Sequence, residues 1–159
     1  MEYYPKEIME RSEKIRIGDM LIQQKFISED QLNNALNQQK HTRLKLGRIL
    51  VNSGFVSEKI ISETLAMQLD IKFIDIEKFL IKPEVVRLIP ECEARRLQTI
   101  VLEDKKGTYL VGMTDPTDEK SVLEVSRILQ HQIEVGVVTE GQLLEGIDRG
   151  YWRTREING

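Results

Sequence analysis

Cysteine is almost absent from this chain. Cys92 stands alone among 159 residues, which excludes an intramolecular disulfide and fits a reducing compartment. No apolar run approaches the roughly 18 residues that span a bilayer, and the opening MEYYPKE lacks a signal-peptide pattern. The expectation is a soluble, cytoplasmic protein without direct membrane insertion. A basic surplus is also missing. The net charge of −3 provides no global field for DNA, RNA or anionic lipid. No GxxxxGK[ST] loop, nucleophile elbow, HExxH or paired-acid constellation occurs, so no enzyme is expected. His41 and His131 lie far from any Cys or carboxylate cluster with metal-ligand spacing, so no metal is expected either. Cys92 has no catalytic histidine beside it and reads as a small packed hydrophobe. Arg95-Arg96 and Lys105-Lys106 read as solvated faces.

What is present is a sequence written twice. RIGDMLIQQKFISEDQLNNALNQQ (16–39) returns as KLGRILVNSGFVSEKIISETLAMQ (45–68), joined by the spacer 40–44. Gly18 returns as Gly47, Leu21 as Leu50, Leu36 as Leu65 and Gln39 as Gln68, while Arg16 becomes Lys45 and Ile17 becomes Leu46. Self-similarity at a fixed period signals a repeated structural unit. Two such units commonly pack about a pseudo-twofold axis, which suits a ligand that is itself twofold symmetric.

Each copy reads as helix, turn, helix. Ser28 has Gln31 at the capping-box position, with Ile27 and Leu32 as a hydrophobic staple. Ser57 caps without a box, because Ile60 occupies that place. Gly54 ends the first helix of the second copy, where a left-handed residue costs glycine nothing. Lys25 stands there in the first copy, so an unchanged backbone would cost about 1 kcal/mol. Four helices in two hairpins follow for 15–69. Ahead of them, Pro5–Lys14 reads either as a short helix or as a frayed leader.

Beyond Gln68 the pattern changes. Ile71–Ile76 alternates like a short strand or extended connector. A helix starts at Pro83 and is interrupted at Pro90, and ECEARRL adds a turn or two. Thr99–Glu103 and Thr108–Met113 form a hairpin through Gly107. A helix over about Asp118–Leu129, a strand over Ile133–Val138 and a helix capped by Thr139 and ending near Tyr151 complete the chain. The fold class is α+β. A four-helix tandem-repeat subdomain (15–69) packs on a small three-stranded α/β sandwich (70–152), between a leader (1–14) and an unpacked tail (153–159).

The doubled RLGxxLxxxGxxxxxxLxxxLxxQ pattern, with its five-residue spacer, resembles the MshEN domain family. This is the N-terminal domain of ATPases that drive type II secretion and type IV pilus assembly. LIPECEARR, the hairpin ending in GMTDP and the closing helix resemble that family's second subdomain, so the likeness runs over about 16–151. It implies a cyclic di-GMP ligand and no other cofactor. It assigns base reading to Arg16 and Lys45, and base or ribose support to Gln39 and Gln68. Gly18 and Gly47 would allow close backbone approach. Leu21, Leu50, Leu36 and Leu65, with Ile17 and Leu46 beside the glycines, would give apolar contact, and Asp115 a carboxylate from the second subdomain. Two departures stand out: Lys25 replaces a glycine, and Lys45 replaces the arginine fork with a point charge.

These residue types suit that ligand. Arg16 offers a fork to the guanine acceptor edge, and Asp115 can accept from N1–H and N2–H₂. The helix starts at Gly18 and Gly47 would aim N–H groups at phosphate. Each residue also has a plainer reading. The leucines would be core, Arg16 and Lys45 solvated charges, Gln39 and Gln68 surface residues, the glycines packing points and Asp115 a turn residue. The resemblance points to a cyclic di-GMP receptor module that regulates a secretion, pilus or motility apparatus through subdomain orientation. The alternative is a docking module that binds no nucleotide. Its partners would be the secretion or pilus ATPase core, or an inner-membrane assembly protein.

Overall fold

The computed structural model describes residues 16–158, with side chains through Tyr151. The segment read as a short helix or leader over Pro5–Lys14 lies outside the described residues.

The doubled sequence folds as two helical hairpins: α1 (Ile17–Gln23) with α2 (Glu29–Gln39), and α3 (Leu46–Asn52) with α4 (Glu58–Leu69). The caps follow the serines. Ser28 accepts from the Gln31 N–H at 3.1 Å, and the Gln31 side chain accepts from the Ser28 N–H at 2.9 Å. Ser57 accepts from the Ile60 N–H at 3.2 Å with nothing returned. Both copies turn through a left-handed residue, Gly54 at φ 77° and Lys25 at φ 65°. The backbone is thus kept although the glycine is not.

Packing between the copies is reciprocal. α1 lies on α4 and α2 lies on α3, as a pseudo-twofold requires. The equivalent leucines Leu21 and Leu50 are fully buried in this core, with Ile27, Ala35 and Ile49. Each buried leucine contributes about 1.5–3 kcal/mol. Gly18 and Gly47 set how closely the helices approach. A Cβ on Gly18 would stand 2.8 Å from Leu32 Cδ1, and one on Gly47 would stand 2.9 Å from Ile61 Cγ2.

The rest of the chain builds a three-stranded sheet in the order β1 (Thr99–Asp104), β2 (Thr108–Met113), β3 (Gln132–Val137). β1 and β2 form an antiparallel hairpin through Gly107, at φ 111°. β2 and β3 run parallel, connected by α7 (Glu119–Leu129), which Asp118 caps. The segment read as strand or connector is extended. Phe73 bridges Val137 before a 3₁₀ turn at Ile76–Lys78.

Two short helices, α5 (Pro83–Val86) and α6 (Glu91–Arg96), precede the sheet. α5 stops at Arg87, earlier than the residue before Pro90, and the Arg87 side chain donates to the Gly150 carbonyl at 3.0 Å. α8 (Glu140–Asn158) starts where the Thr139 hydroxyl accepts from the Gln142 N–H. It runs past Tyr151 through most of the segment read as an unpacked tail, since no proline or glycine interrupts 152–158. A second core, including Ile100, Val111, Val125, Leu143 and Ile147, fills the space between sheet and helices. Contact with the sheet comes from the second repeat copy, whose α4 packs on β3.

One plain reading needs correction, and two solvated faces carry ion pairs as well. Cys92 is exposed and not packed. Arg95 and Arg96 do more than face solvent: Arg95 pairs with Glu91 and Asp148, and Arg96 with Glu93 and Glu124. Lys105 pairs with Glu134 at 2.9 Å. No helix among the described residues is long and apolar enough to cross a membrane.

Candidate functional site

A cleft of about 660 Å³ opens where the second repeat copy meets the sheet half. That size falls in the usual range for small-ligand sites. The start of α3 and the inner face of α4 form one wall. The end of α6, and the turn between β2 and α7, form the other.

Asp115 anchors the far wall. Its Oδ1 accepts from the Thr117 N–H at 3.0 Å and from the Thr117 hydroxyl, an Asx-type turn enforced by Pro116. Oδ2 is thereby aimed outward. It is buried, receives no hydrogen bond meeting ordinary geometry, and has the Lys45 ammonium as its ion-pair partner across the cleft. A buried carboxylate oxygen is expensive without a partner, so the lysine is what balances it. Burial pulls the Lys45 ammonium below the ordinary lysine value, while the Asp118 carboxylate opposes that shift.

Two further links join the walls. Arg48 pairs with Glu140 at 2.5 Å. The Glu58 carboxylate accepts from the Glu140 N–H, where the positive end of α8 favours an anion. The second copy is therefore fastened to the sheet half by Lys45, Arg48 and Glu58.

The residues singled out in the sequence divide into four groups. Ile17, Lys45, Leu46, Gly47, Leu65, Gln68 and Asp115 line the cleft together. Leu36 and Gln39 lie instead on a shallow groove with Asn33, Asn37 and Lys40. Leu21 and Leu50 are sealed in the repeat core, and Gly18 is buried against Leu32. Arg16 is exposed at the start of α1 and does not line the cleft. α1 and α3 have only seven residues each, and their glycines serve helix packing.

Sequence reasoning missed Arg43, Arg48, Arg96, Gln98 and Asp118, which also line the cleft. Arg48 and Asp118 had no repeat signal, because the first copy has Asp19 at the place of Arg48. Arg96 was legible only as part of a charged pair. The Glu124 and Glu93 carboxylates hold its guanidinium firmly protonated, well above the ordinary value.

The MshEN domain family model matches residues 69–156. A solved structure of MshE with cyclic di-GMP superposes with a TM-score of 0.78 at 36% identity, covering 87% of this chain and 100% of that one. That match is longer than the family model's and reaches back into the doubled segment. The N-terminal domain of XpsE shares the fold, with a TM-score of 0.71 at 18% identity over 84% of this chain and 92% of its own. The type IV pilus assembly ATPase PilB of Myxococcus xanthus is 26% identical over 136 residues, covering 86% of this chain and 24% of PilB. Bacteriophage adsorption protein B of Escherichia coli K12 is 24% identical over 139 residues, covering 87% of this chain and 18% of its own length. The chain thus spans a quarter or less of the length of these curated relatives. With just over half of its residues matched by the family model, and a solved MshE chain matched along its whole length, this chain belongs to the MshEN domain family.

Proposed function

We propose that this chain is a cyclic di-GMP receptor module and that the dinucleotide seats in the cleft between the second repeat copy and the sheet half. The observation that carries the reading is Asp115. Its turn fixes a buried Oδ2 that faces a cleft rather than solvent, and its chemistry suits the N1–H and N2–H₂ edge of guanine. Leu46 and Leu65 supply apolar lining that strengthens each polar contact, and the match to MshE solved with cyclic di-GMP supports the choice of ligand.

In this reading, Lys45 exchanges Asp115 for the ligand, and the residues near 69 divide two units whose relative orientation reports occupancy. The module would regulate a secretion, pilus or motility apparatus in the cytoplasm, acting on an ATPase core or an inner-membrane assembly protein. It carries out no chemistry and needs no metal. Thermal unfolding with and without cyclic di-GMP tests the assignment. At a hundredfold excess over Kd, a single site stabilises by about 2.7 kcal/mol.

One observation favours a second reading. The Lys45–Asp115 and Arg48–Glu140 pairs already hold the halves together, which a docking module with a fixed orientation would need. No thermal shift at saturating ligand would favour it.

A further inference from the structure

We propose that Arg43, in the spacer between the two copies, contacts a phosphodiester of the bound dinucleotide. The inference rests on the cyclic di-GMP reading of the cleft and adds a residue outside the doubled pattern. Cyclic di-GMP carries two negative phosphodiesters, so a cleft that binds it needs cationic groups able to serve them. Among the described residues, four cations line this cleft: Arg43, Lys45, Arg48 and Arg96. Three already have carboxylate partners within the fold. Lys45 pairs with Asp115 and, in that reading, leaves it only as a guanine edge takes the carboxylate, so its charge goes to the base end of the ligand. Arg48 is held by Glu140 at 2.5 Å and helps fasten the two halves. Arg96 sits between Glu124, at 2.5 Å, and Glu93.

Arg43 has no carboxylate partner among the described residues. Its charge can meet a phosphate without unpairing a group elsewhere.

The segment that carries Arg43 is also held in place. The Leu44 N–H donates to the Thr42 hydroxyl at 3.3 Å, and the Gln39 amide donates to the Leu44 carbonyl at 3.4 Å. Arg43 is therefore presented from a turn tied at both sides, one residue before the apolar Leu44 and two before Lys45. Backbone donors do not offer a ready substitute. Helices α1 and α3 are seven residues long, with glycines packed against Leu32 and Ile61, and at the starts of α7 and α8 the Ser121 and Glu140 N–H groups already donate to Asp118 and Glu58.

The test is a calorimetric titration of cyclic di-GMP into the unaltered chain, Arg43→Ala and Arg43→Lys, at low and high salt. Arg43→Ala should bind about tenfold more weakly at low salt, the size of one charge-assisted contact. The gap should narrow at high salt, where the ion pair is screened. Arg43→Lys should stay within about threefold of the unaltered chain, since phosphate accepts a point charge where guanine prefers a planar fork. Binding by Arg43→Ala equal to that of the unaltered chain overturns this inference alone. Equal losses in Arg43→Ala and Arg43→Lys overturn the phosphate assignment. Absence of binding by the unaltered chain overturns the receptor reading, and this inference with it.

Discussion

Lys45 and Asp115 belong to different halves of the molecule and meet as an ion pair across the cleft between them. The lysine is largely exposed and the aspartate mostly covered, at 66% and 24% side-chain exposure, so the lysine is the partner free to move. Asp115→Asn tests what the fixed partner does. Asparagine can keep accepting from Thr117 while presenting an amide in place of Oδ2. The folded protein should survive, and cyclic di-GMP affinity should fall about tenfold or more, because two donor groups would then face each other.

Lys45→Ala isolates the lysine. It should lower stability by about 1 kcal/mol in urea unfolding, a modest cost because most of the lysine side chain is exposed. If Lys45 also serves the ligand, the same variant binds more weakly. No change in either measurement would mean that the pair matters to neither folding nor binding.

Lys25 holds a left-handed backbone at φ 65°, where the second copy uses Gly54. Lys25→Gly should therefore raise stability by about 1 kcal/mol, or about 2–4 °C in melting temperature for a chain of this size. Differential scanning calorimetry checks the sign. Gly54→Ala should move it in the opposite direction.

Gly47→Ala places a methyl group 2.9 Å from Ile61 Cγ2. Helices α3 and α4 would have to part, costing about 1–3 kcal/mol. Loss of stability with proportionate loss of ligand affinity would mark Gly47 as a packing residue whose effect on the cleft is indirect.

Tyr151 ties α8 to the chain around α5. Its hydroxyl sits between the carbonyls of Val86 and Ile89, which share its one proton. Burial, with the Glu91 carboxylate adding to it, pushes the phenol up to about 12. The folded value exceeds the unfolded one, so this stabilisation is complete below pH 10 and is lost as pH rises through 12. Tyr151→Phe should lose about 1 kcal/mol at neutral pH and show a flatter decline in that alkaline window, measured by urea unfolding at stepped pH.

The fold was legible wherever a residue's chemistry acts locally. Ser28 and Ser57 mark two helix starts, Gly54 and Gly107 two turns, and the strand over Thr108–Met113 has the bounds its sequence suggests. Errors came where boundaries depend on tertiary partners. The first strand runs one residue longer, β3 begins one residue earlier, and the last helix passes Tyr151.

The cleft was legible on one side only. The repeat makes Arg16 and Lys45 equivalent in sequence, but the sheet half covers the second copy and not the first, so Lys45 reaches Asp115 while Arg16 stays outside the cleft. The same asymmetry separates Gln68 from Gln39. Leu21 and Leu50 were indistinguishable from lining residues by pattern, because core and cleft share one helical period. Arg48 and Glu140 lie far apart in the chain, and only the folded arrangement makes them a pair.

The most direct measurement is isothermal titration of cyclic di-GMP into this chain and its Asp115→Asn variant. The account predicts one dinucleotide per chain, far weaker binding of linear GTP, and a loss of about tenfold or more in the variant. Equally tight binding by both proteins, or no heat from the unaltered chain at saturating ligand, would contradict it.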